Sequence, residues 1–260
     1  MWLLTPIQLL ALTGTFFLTS IVSVVTGSTS LITVPAMLQF GIQPHSAVAT
    51  NMLALTFMSI GGSLSFRGKN VFDYKRSPLL IVLTLAGSSS GALLLLVIPS
   101  WVMPLMISVF MIAVASFSMV KHNAGITPVE CQASRGREIA GYAATFVLGV
   151  YGGFFSGGYV TLLTAAFVAL FGMTFMQAVS TTKLVNVFSS LVATLIFIWR
   201  GLVDYRLGIL LGVIMFVGAL VGGHITLRLS NVWLRRIFLA AVLALALKTL
   251  LYDFLYKLLA

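Results

Sequence analysis

Two very long stretches of this chain contain no charged residue. The first runs from Met1 to Phe66 and the second from Ser77 to Val120. Of the 260 residues, 60% are hydrophobic and 8% are charged, whereas a soluble domain carries about 25% charged residues. A soluble core of this size cannot cover such runs, and a membrane-spanning helix needs roughly 20 apolar residues. The sequence therefore predicts an all-α polytopic protein embedded in a lipid bilayer.

The chain is also an internal duplication with an offset of 131 residues. Across residues 27 to 91, 20 of the 65 positions are identical to the residue 131 positions later, with no gap. The pair Asp73-Tyr74 recurs as Asp204-Tyr205. Five other recurring residues are Gly27, Gly41, Thr50, Gly87 and Gly91. A duplicated, very apolar chain is typical of transporters, whose substrate site lies between the halves near the bilayer midplane.

The apolar runs predict about eight transmembrane helices, arranged as two related four-helix repeats. The first repeat covers residues 1–120, a cytoplasmic linker covers 121–138, and the second repeat covers 139–260. We expect the spans at about 6–25, 44–66, 78–98 and 101–120, then from 139 to a break at 152–158, and at 174–199, 206–227 and 232–256. Helices one and five are broken, and each break is followed by a short apolar piece.

The relative direction of the two repeats depends on those short pieces. Four crossings per repeat would make the repeats parallel and place both termini in the cytoplasm of a cell-membrane protein. The positive-inside rule agrees with this count, because both basic Asp-Tyr turns would then face the cytoplasm. If each short piece is a separate re-entrant or crossing element, the parity changes and the repeats are inverted. Hydropathy leaves both arrangements open.

The first break places small and hydroxyl residues at a depth where a helix should be continuous. These residues are Gly27, Ser28, Thr29 and Ser30. Backbone groups freed inside a bilayer must be hydrogen-bonded or face a wet cavity. The hydroxyl residues suit the N-cap of the following short helix, and a helix N-terminus attracts anions. Close helix packing by small residues is the alternative explanation.

The second break lies at the corresponding place in the second repeat. It includes Ser156, Gly157, Gly158 and Tyr159. Paired interruptions at equivalent positions are the best sequence indication of a transporter binding site. The pairing favours a functional interpretation of both breaks, and we expect these four residues to complete the pocket from the second half.

Lys183 lies about ten residues into the predicted sixth helix, with apolar sequence on both sides. A lysine at that depth costs about 2.5–3.5 kcal/mol on insertion scales. Snorkelling to the interface is one explanation; a fixed cation that attracts an anionic substrate is the other. Asn186 shares its helix face at i+3. Together with Thr182, and with Asn51 in the equivalent stretch of the first half, it is expected to supply polar ligands.

Carboxylates are missing from the middle of every predicted span. The five acidic residues lie in turns or near helix ends: Asp73, Glu130, Glu138, Asp204 and Asp253. A cation transporter or a carboxylate proton relay would need one inside the membrane. Unless water-filled cavities reach Asp73 or Asp204, the predicted substrate is therefore negative.

Several short motifs in this order resemble the sulfite exporter TauE/SafE family, also called the toluene-sulfonate uptake permease family. They are the Gly-rich break of each half, the Pro35-containing piece, AVATN at 47–51 and AVSTTKLVN at 178–186. The resemblance covers nearly the whole chain. It implies an integral membrane protein of two related halves that moves sulfur-containing anions. The chain departs from the family pattern at the second break, where Tyr159, Val160 and Ala166 replace a richer glycine run and a proline.

The residues and the resemblance together predict a secondary transporter of small anions, sulfite or other sulfur oxyanions or sulfonates, working by alternating access. An anion channel is the alternative. No cofactor is predicted. The chain has no GxxxxGK[ST] loop for a nucleotide, so we expect transport to be driven by an ion gradient, the membrane potential or the substrate's own gradient. An enzyme is not predicted, since the histidines and the single cysteine are scattered: His45, His122, His224 and Cys131. Basic residues confined to short turns do not suggest nucleic acid, and a homo-oligomer remains compatible with the sequence.

Overall fold

The part of the chain described by the computed structural model is helical throughout its regular elements. It comprises residues 5–27, 29–69, 71–103, 106, 135–230, 233 and 236. The helices are α1 (Pro6–Thr26), α2 (Ser30–Gln39), α3 (Pro44–Phe66), α4 (Ser77–Val97), α5 (Arg135–Phe154), α6 (Tyr159–Phe171), α7 (Phe175–Trp199) and α8 (Tyr205–Arg228). The predicted fourth and eighth spans, and the linker before residue 135, lie almost wholly outside the described residues.

Five of these helices are long and apolar enough to cross a membrane, namely α1, α3, α4, α7 and α8. Their ends fall within one residue of the bounds expected from the sequence. The helices α2 and α6 are the short apolar pieces expected after the two breaks. The fold is that of a multi-pass membrane protein.

One predicted boundary is wrong, because α5 begins at Arg135 and not near residue 139. Its charged first turn is held by contacts with other helices. Arg137 donates a hydrogen bond to the carbonyl of Ala169, and Glu138 forms an ion pair of 2.6 Å with Arg76. Charged residues that were assigned to a linker therefore belong to a helix.

Local sequence signals explain where several helices begin. Thr5 and Thr174 each form a capping box with the glutamine three residues later, which satisfies two backbone N–H groups of the first turn. The carboxylate of Asp204 accepts a hydrogen bond from the N–H of Leu207 at the start of α8. Asp204 is thus an N-cap residue, as its place in the turn indicates.

Glycine stripes bring neighbouring helices into close contact. A methyl group at Gly87 or Gly91 of α4 would collide with the backbone of α5, and one at Gly218 or Gly222 of α8 would collide with α1. Small residues at membrane helix interfaces permit this approach. These glycines therefore allow close helix packing, which links each repeat to the other.

The order of contacts gives the helix directions. Along α3 and α8 the pairs Leu53–Gly208, Phe57–Gly212 and Gly61–Phe216 advance together, so these two helices run in the same direction. Along α3 and α7 the pairs run in opposite order: Thr56–Thr194, Ser59–Asn186 and Gly62–Lys183. The helices α3 and α7 are the equivalent helices of the two repeats, and they are antiparallel.

The two Asp-Tyr turns consequently lie at opposite ends of the α3–α7 pair. The N–H of Asp73 donates to Thr181 near the start of α7, and the N–H of Asp204 donates to Thr50 near the start of α3. The parallel count, which placed both turns on one face, disagrees with these directions. Its error has a structural reason: α2 and α6 are separate helices, and treating each broken helix as one crossing miscounts the parity.

Candidate functional site

Lys183 lies in the third turn of α7 and is fully buried, with 0% of its surface exposed. Its ammonium donates a 2.7 Å hydrogen bond to the carbonyl of Ser23 in the last turn of α1. Its aliphatic stem lies against Gly62 of α3. The side chain therefore points toward the first break and does not snorkel to an interface. The same Ser23 carbonyl also accepts the 2.8 Å hydrogen bond from the N–H of Gly27 that closes α1.

Asn51 is the centre of a buried hydrogen-bond network between the two breaks. Its carboxamide oxygen accepts from Thr33 at 2.8 Å, and its amide nitrogen donates to Ser30 at 2.9 Å. The hydroxyl of Ser30 in turn pairs with that of Ser156 from the second break, at 2.6 Å. Residues 126 positions apart in the chain are thus joined, and the two breaks are in contact.

The backbone of the breaks is also in direct contact. Gly27 and Gly158 both have left-handed backbone conformations, with φ of 72° and 78°, which glycine adopts without steric cost. A side chain at Gly27 would collide with Val160 and Thr161 of the second half. Glycine is therefore required at Gly27 for its dihedral angles and for this close approach.

The predicted role of the hydroxyls as helix caps is wrong in one respect. Thr29 occupies the N-cap of α2, but its side chain makes no capping hydrogen bond. It donates instead to the hydroxyl of Ser23 at 2.5 Å, because its backbone is already in the right-handed helical region and not extended. Thr29 thus joins the residue that holds Lys183. Ser28 lies outside the described residues.

The other predicted ligands on α7 lie beside Lys183 but contact different helices. The hydroxyl of Thr182 pairs with that of Thr164 in α6 at 3.1 Å. Asn186 donates to Ser59 of α3 at 2.6 Å. The Thr182–Thr164 pair is the repeat equivalent of Asn51–Thr33, so the duplication is visible in the hydrogen bonds.

Tyr159 and Gly157 complete the second break from another side. The ring of Tyr159 lies against Gly152 at the end of α5, and its hydroxyl faces Thr84 and Ser189. Gly157 leaves no room for a side chain between Phe155 and Leu31 of the first half. Tyr159 therefore belongs to a group of hydroxyls, and makes none of the hydrogen bonds that hold Lys183.

The described carboxylates are all engaged away from Lys183. Arg76 binds Asp73 at 2.8 Å and Glu138 at 2.6 Å, and Asp204 caps α8. Partial burial lowers the pKa of Arg76, but its hydrogen bonds to Glu138 and Asp73 outweigh that effect and the pKa is raised. Across the residues that the structure describes, no acidic side chain pairs with Lys183.

Sequence reasoning missed several residues that the fold brings to this region. They are Ser23, Thr33, Met58, Ser59 and Thr164. Thr33 carries a recognisable signal, since it lies one helical turn after Ser30. Ser23 offers none, because it binds Lys183 through a backbone carbonyl that every residue has.

Comparison with known proteins gives consistent results. The family model "Sulfite exporter TauE/SafE" matches residues 12–249. A probable membrane transporter protein, ORF9, from Sinorhizobium sp is 29% identical over 90% of this chain and 89% of its own length. The probable membrane transporter protein YfcA of Escherichia coli K12 is 27% identical over 97% and 93%. No solved structure matches the chain significantly. With the family model covering most of its length, the chain belongs to the sulfite exporter TauE/SafE family of membrane transporters.

Proposed function

We propose that this protein is a secondary transporter of small anions, with sulfite or another sulfur-containing oxyanion or sulfonate as substrate. It works by alternating access around a site at the two helix breaks, with Lys183 as the fixed positive charge. The family name supports sulfite as the first substrate to test. The observation that carries the proposal is the fully buried ammonium of Lys183, which meets a helix-end carbonyl and, within the described chain, no carboxylate.

The hydrogen bonding of Ser23 leaves the ammonium free to change partners. An ammonium group has three donors, and the described residues accept one of them. If the ammonium turns toward an anion, the Ser23 carbonyl keeps its hydrogen bond from the N–H of Gly27. The exchange therefore leaves no buried carbonyl unpaired, a defect that would cost about 1–3 kcal/mol. An anion oxygen replaces a neutral acceptor with a charged one, which strengthens the interaction.

Polar groups around the ammonium supply further ligands for an oxyanion. Asn186 and Ser59 lie on the α7 and α3 sides, while Thr29, Ser30 and Asn51 lie at the first break. Asn186 now binds Ser59, Asn51 binds Ser30 and Thr29 binds Ser23. These hydroxyl and amide groups can reorient to donate to sulfite oxygens. The second break contacts this network through Ser156, and we propose that the backbone of Gly157 and Gly158 supplies further donors.

The opposite directions of α3 and α7 support an alternating-access mechanism. Inverted repeats around a midplane site are a common transporter architecture, in which one half rocks against the other. We propose that the two halves of this chain are inverted in this way. The Ser30–Ser156 pair and the contact of Gly27 with Val160 cross from one half to the other, so a relative movement of the halves would open the site.

The test is sulfite flux into reconstituted vesicles for wild type and Lys183→Met. The variant removes the charge and keeps the length of the side chain, so we expect flux to fall to the level of empty vesicles. Lys183→Arg should retain part of the flux because it keeps the charge. Lys69→Met makes the same change at an exposed lysine and should transport as wild type does.

Wild-type flux in correctly inserted Lys183→Met would contradict the proposed site. Counterflow separates a carrier from the anion channel that is the alternative. Sulfite trapped inside the vesicles should accelerate uptake of labelled sulfite by a carrier. A sulfite flux that does not saturate with sulfite concentration, and that trapped sulfite does not accelerate, would identify a channel.

A further inference from the structure

A second polar group lies near the end of α5, where α4, α6 and α7 meet. It consists of Thr84, Ser88, Tyr159 and Ser189, here named the hydroxyl cluster. All four side chains are buried, with exposed fractions of 0%, 0%, 0% and 2%. They come from α4, α6 and α7, so the cluster is assembled by tertiary packing.

Two hydroxyls of the cluster face neighbouring hydroxyls without making a well-formed hydrogen bond. Ser88 donates to the carbonyl of Gly149 in α5 and pairs with Ser189. The hydroxyl of Tyr159 faces those of Thr84 and Ser189, yet neither Tyr159 nor Thr84 makes a hydrogen bond of ordinary geometry. Buried polar atoms are nearly always paired, and an orphaned group often marks the place of a water or an ion. Two orphaned oxygens that converge with others indicate a ligand position.

The electrostatic surroundings of the cluster favour a positive ligand. Its neighbours Gly152 and Gly153 belong to the last turn of α5, where Gly152 lies against Tyr159 and Gly153 against Ser88. The C-terminal end of a helix carries a partial negative charge, and half-helix ends of this kind coordinate Na⁺ in transporters. No charged side chain of the described residues binds the cluster.

The duplication points to the same conclusion. In the first half, the end of α1 is contacted by the ammonium of Lys183. The residue equivalent to Lys183 is Met52, which offers no cation to the end of α5. Conversely, the equivalents of three cluster residues are without hydroxyls: Met58, Met215 and Ala219. The break of the first half is therefore contacted by the side-chain cation of Lys183. The break of the second half has the oxygen atoms of the hydroxyl cluster in the corresponding region.

We infer that the hydroxyl cluster, with the carbonyl of Gly149, binds a small monovalent cation, Na⁺, that couples to anion transport. Neutral oxygen atoms are suitable ligands for a hard cation. A divalent cation is disfavoured because the cluster contributes no carboxylate to balance its charge. The coupling role rests on the proposed transport function, whereas the binding site itself does not. With Na⁺ bound, the two breaks would carry two positive charges near the incoming anion.

The test is thermal unfolding of the purified protein in detergent, without sulfite, in NaCl and in KCl or choline chloride of equal concentration. A ligand that binds the folded state raises Tm in a concentration-dependent manner. We expect Na⁺ to raise Tm saturably. Tyr159→Phe and Thr84→Val each remove one oxygen and should lower the apparent Na⁺ affinity about tenfold or more. Thr226→Val removes a buried hydroxyl that binds its own helix in α8, and it should respond to Na⁺ as wild type does.

Three results would overturn the inference. The first is a wild-type Tm that does not distinguish Na⁺ from K⁺ and choline. The second is an undiminished Na⁺ response in both Tyr159→Phe and Thr84→Val. The third is loss of sulfite binding in these variants with Na⁺ binding intact, which would assign the cluster to the anion. Because sulfite is absent from the Na⁺ titrations, their failure is distinct from a failure of the Lys183→Met flux test.

Discussion

Lys183 and Asn51 are both buried, but their polar groups are satisfied to different degrees. Asn51 has partners on both ends of its carboxamide, Thr33 and Ser30. The ammonium of Lys183 has one carbonyl partner among the described residues. An amide with all its hydrogen-bond partners holds helices together, whereas a buried charge with few partners favours the binding of an opposite charge. We therefore propose that the main role of Asn51 is structural and that the main role of Lys183 is to bind the ligand.

Replacing Asn51 tests this division. Asn51→Leu removes both hydrogen bonds, and each interhelical hydrogen bond in a membrane contributes about 0.6 kcal/mol on average and up to about 1.7. We expect a loss of about 1–3 kcal/mol in unfolding free energy, measured by denaturation in detergent micelles. Asn51→Thr copies the residue found at the equivalent position, Thr182, and should lose about half as much. A stability of Asn51→Leu equal to wild type would show that the network is not structural.

The sequence identifies single residues of the candidate site where the residue type is unfavourable at that depth in the membrane. A lysine in an apolar run and paired glycine breaks stand out in the sequence without any model of packing. Their partners do not, because the Ser30–Ser156 pair and the Lys183–Ser23 bond join residues 126 and 160 positions apart. The predicted interpretation of Lys183 as a ligand for anions stays a prediction, while its burial is established.

At the scale of the helix, glycines have two different structural roles. Gly27 and Gly158 interrupt helices through positive φ, whereas the glycines of α4 and α8 lie inside regular helices and permit close contact. The ends of the described spans were predictable because apolar runs, proline and capping residues mark them locally. The start of α5 was not, because the ion pair of Glu138 with Arg76 depends on the position of α4.

The contact glycines predict a specific pattern of stability changes. In Gly91→Ala the added methyl group meets the carbonyl of Val150 in α5, and overpacking of this kind costs about 1–3 kcal/mol. Gly14→Ala is the matched control, because nothing lies near that position and alanine is favoured over glycine in a helix by about 0.5–1 kcal/mol. Unfolding in detergent should show destabilisation for Gly91→Ala and none for Gly14→Ala. Equal effects would argue against the α4–α5 contact.

At the scale of the whole molecule, the described helices are held together by hydrogen bonds and packing between the two halves. Each Asp-Tyr turn binds a threonine of the other repeat, Asp73 with Thr181 and Asp204 with Thr50. The most extensive helix packing is also between halves, α3 with α8 and α4 with α5. The duplication was visible in the sequence, but this interlocking was not, since periodicity gives no information about which repeat a helix contacts. In the described part of the chain, the helices of each half therefore pack largely against the other half.

The antiparallel course of α3 and α7 makes a prediction about membrane sidedness. Tyr74 and Tyr205 are equivalent residues in the two turns, and they are 63% and 50% exposed. We expect Tyr74→Cys and Tyr205→Cys, each in a Cys131→Ser background that removes the single native cysteine, to face opposite sides of the membrane. A membrane-impermeant maleimide applied to sealed, uniformly oriented vesicles should label one of the two, and permeabilised vesicles should label both. Labelling or protection of both cysteines in sealed vesicles would mean that the repeats are parallel, and the rocking of two inverted halves would have to be abandoned.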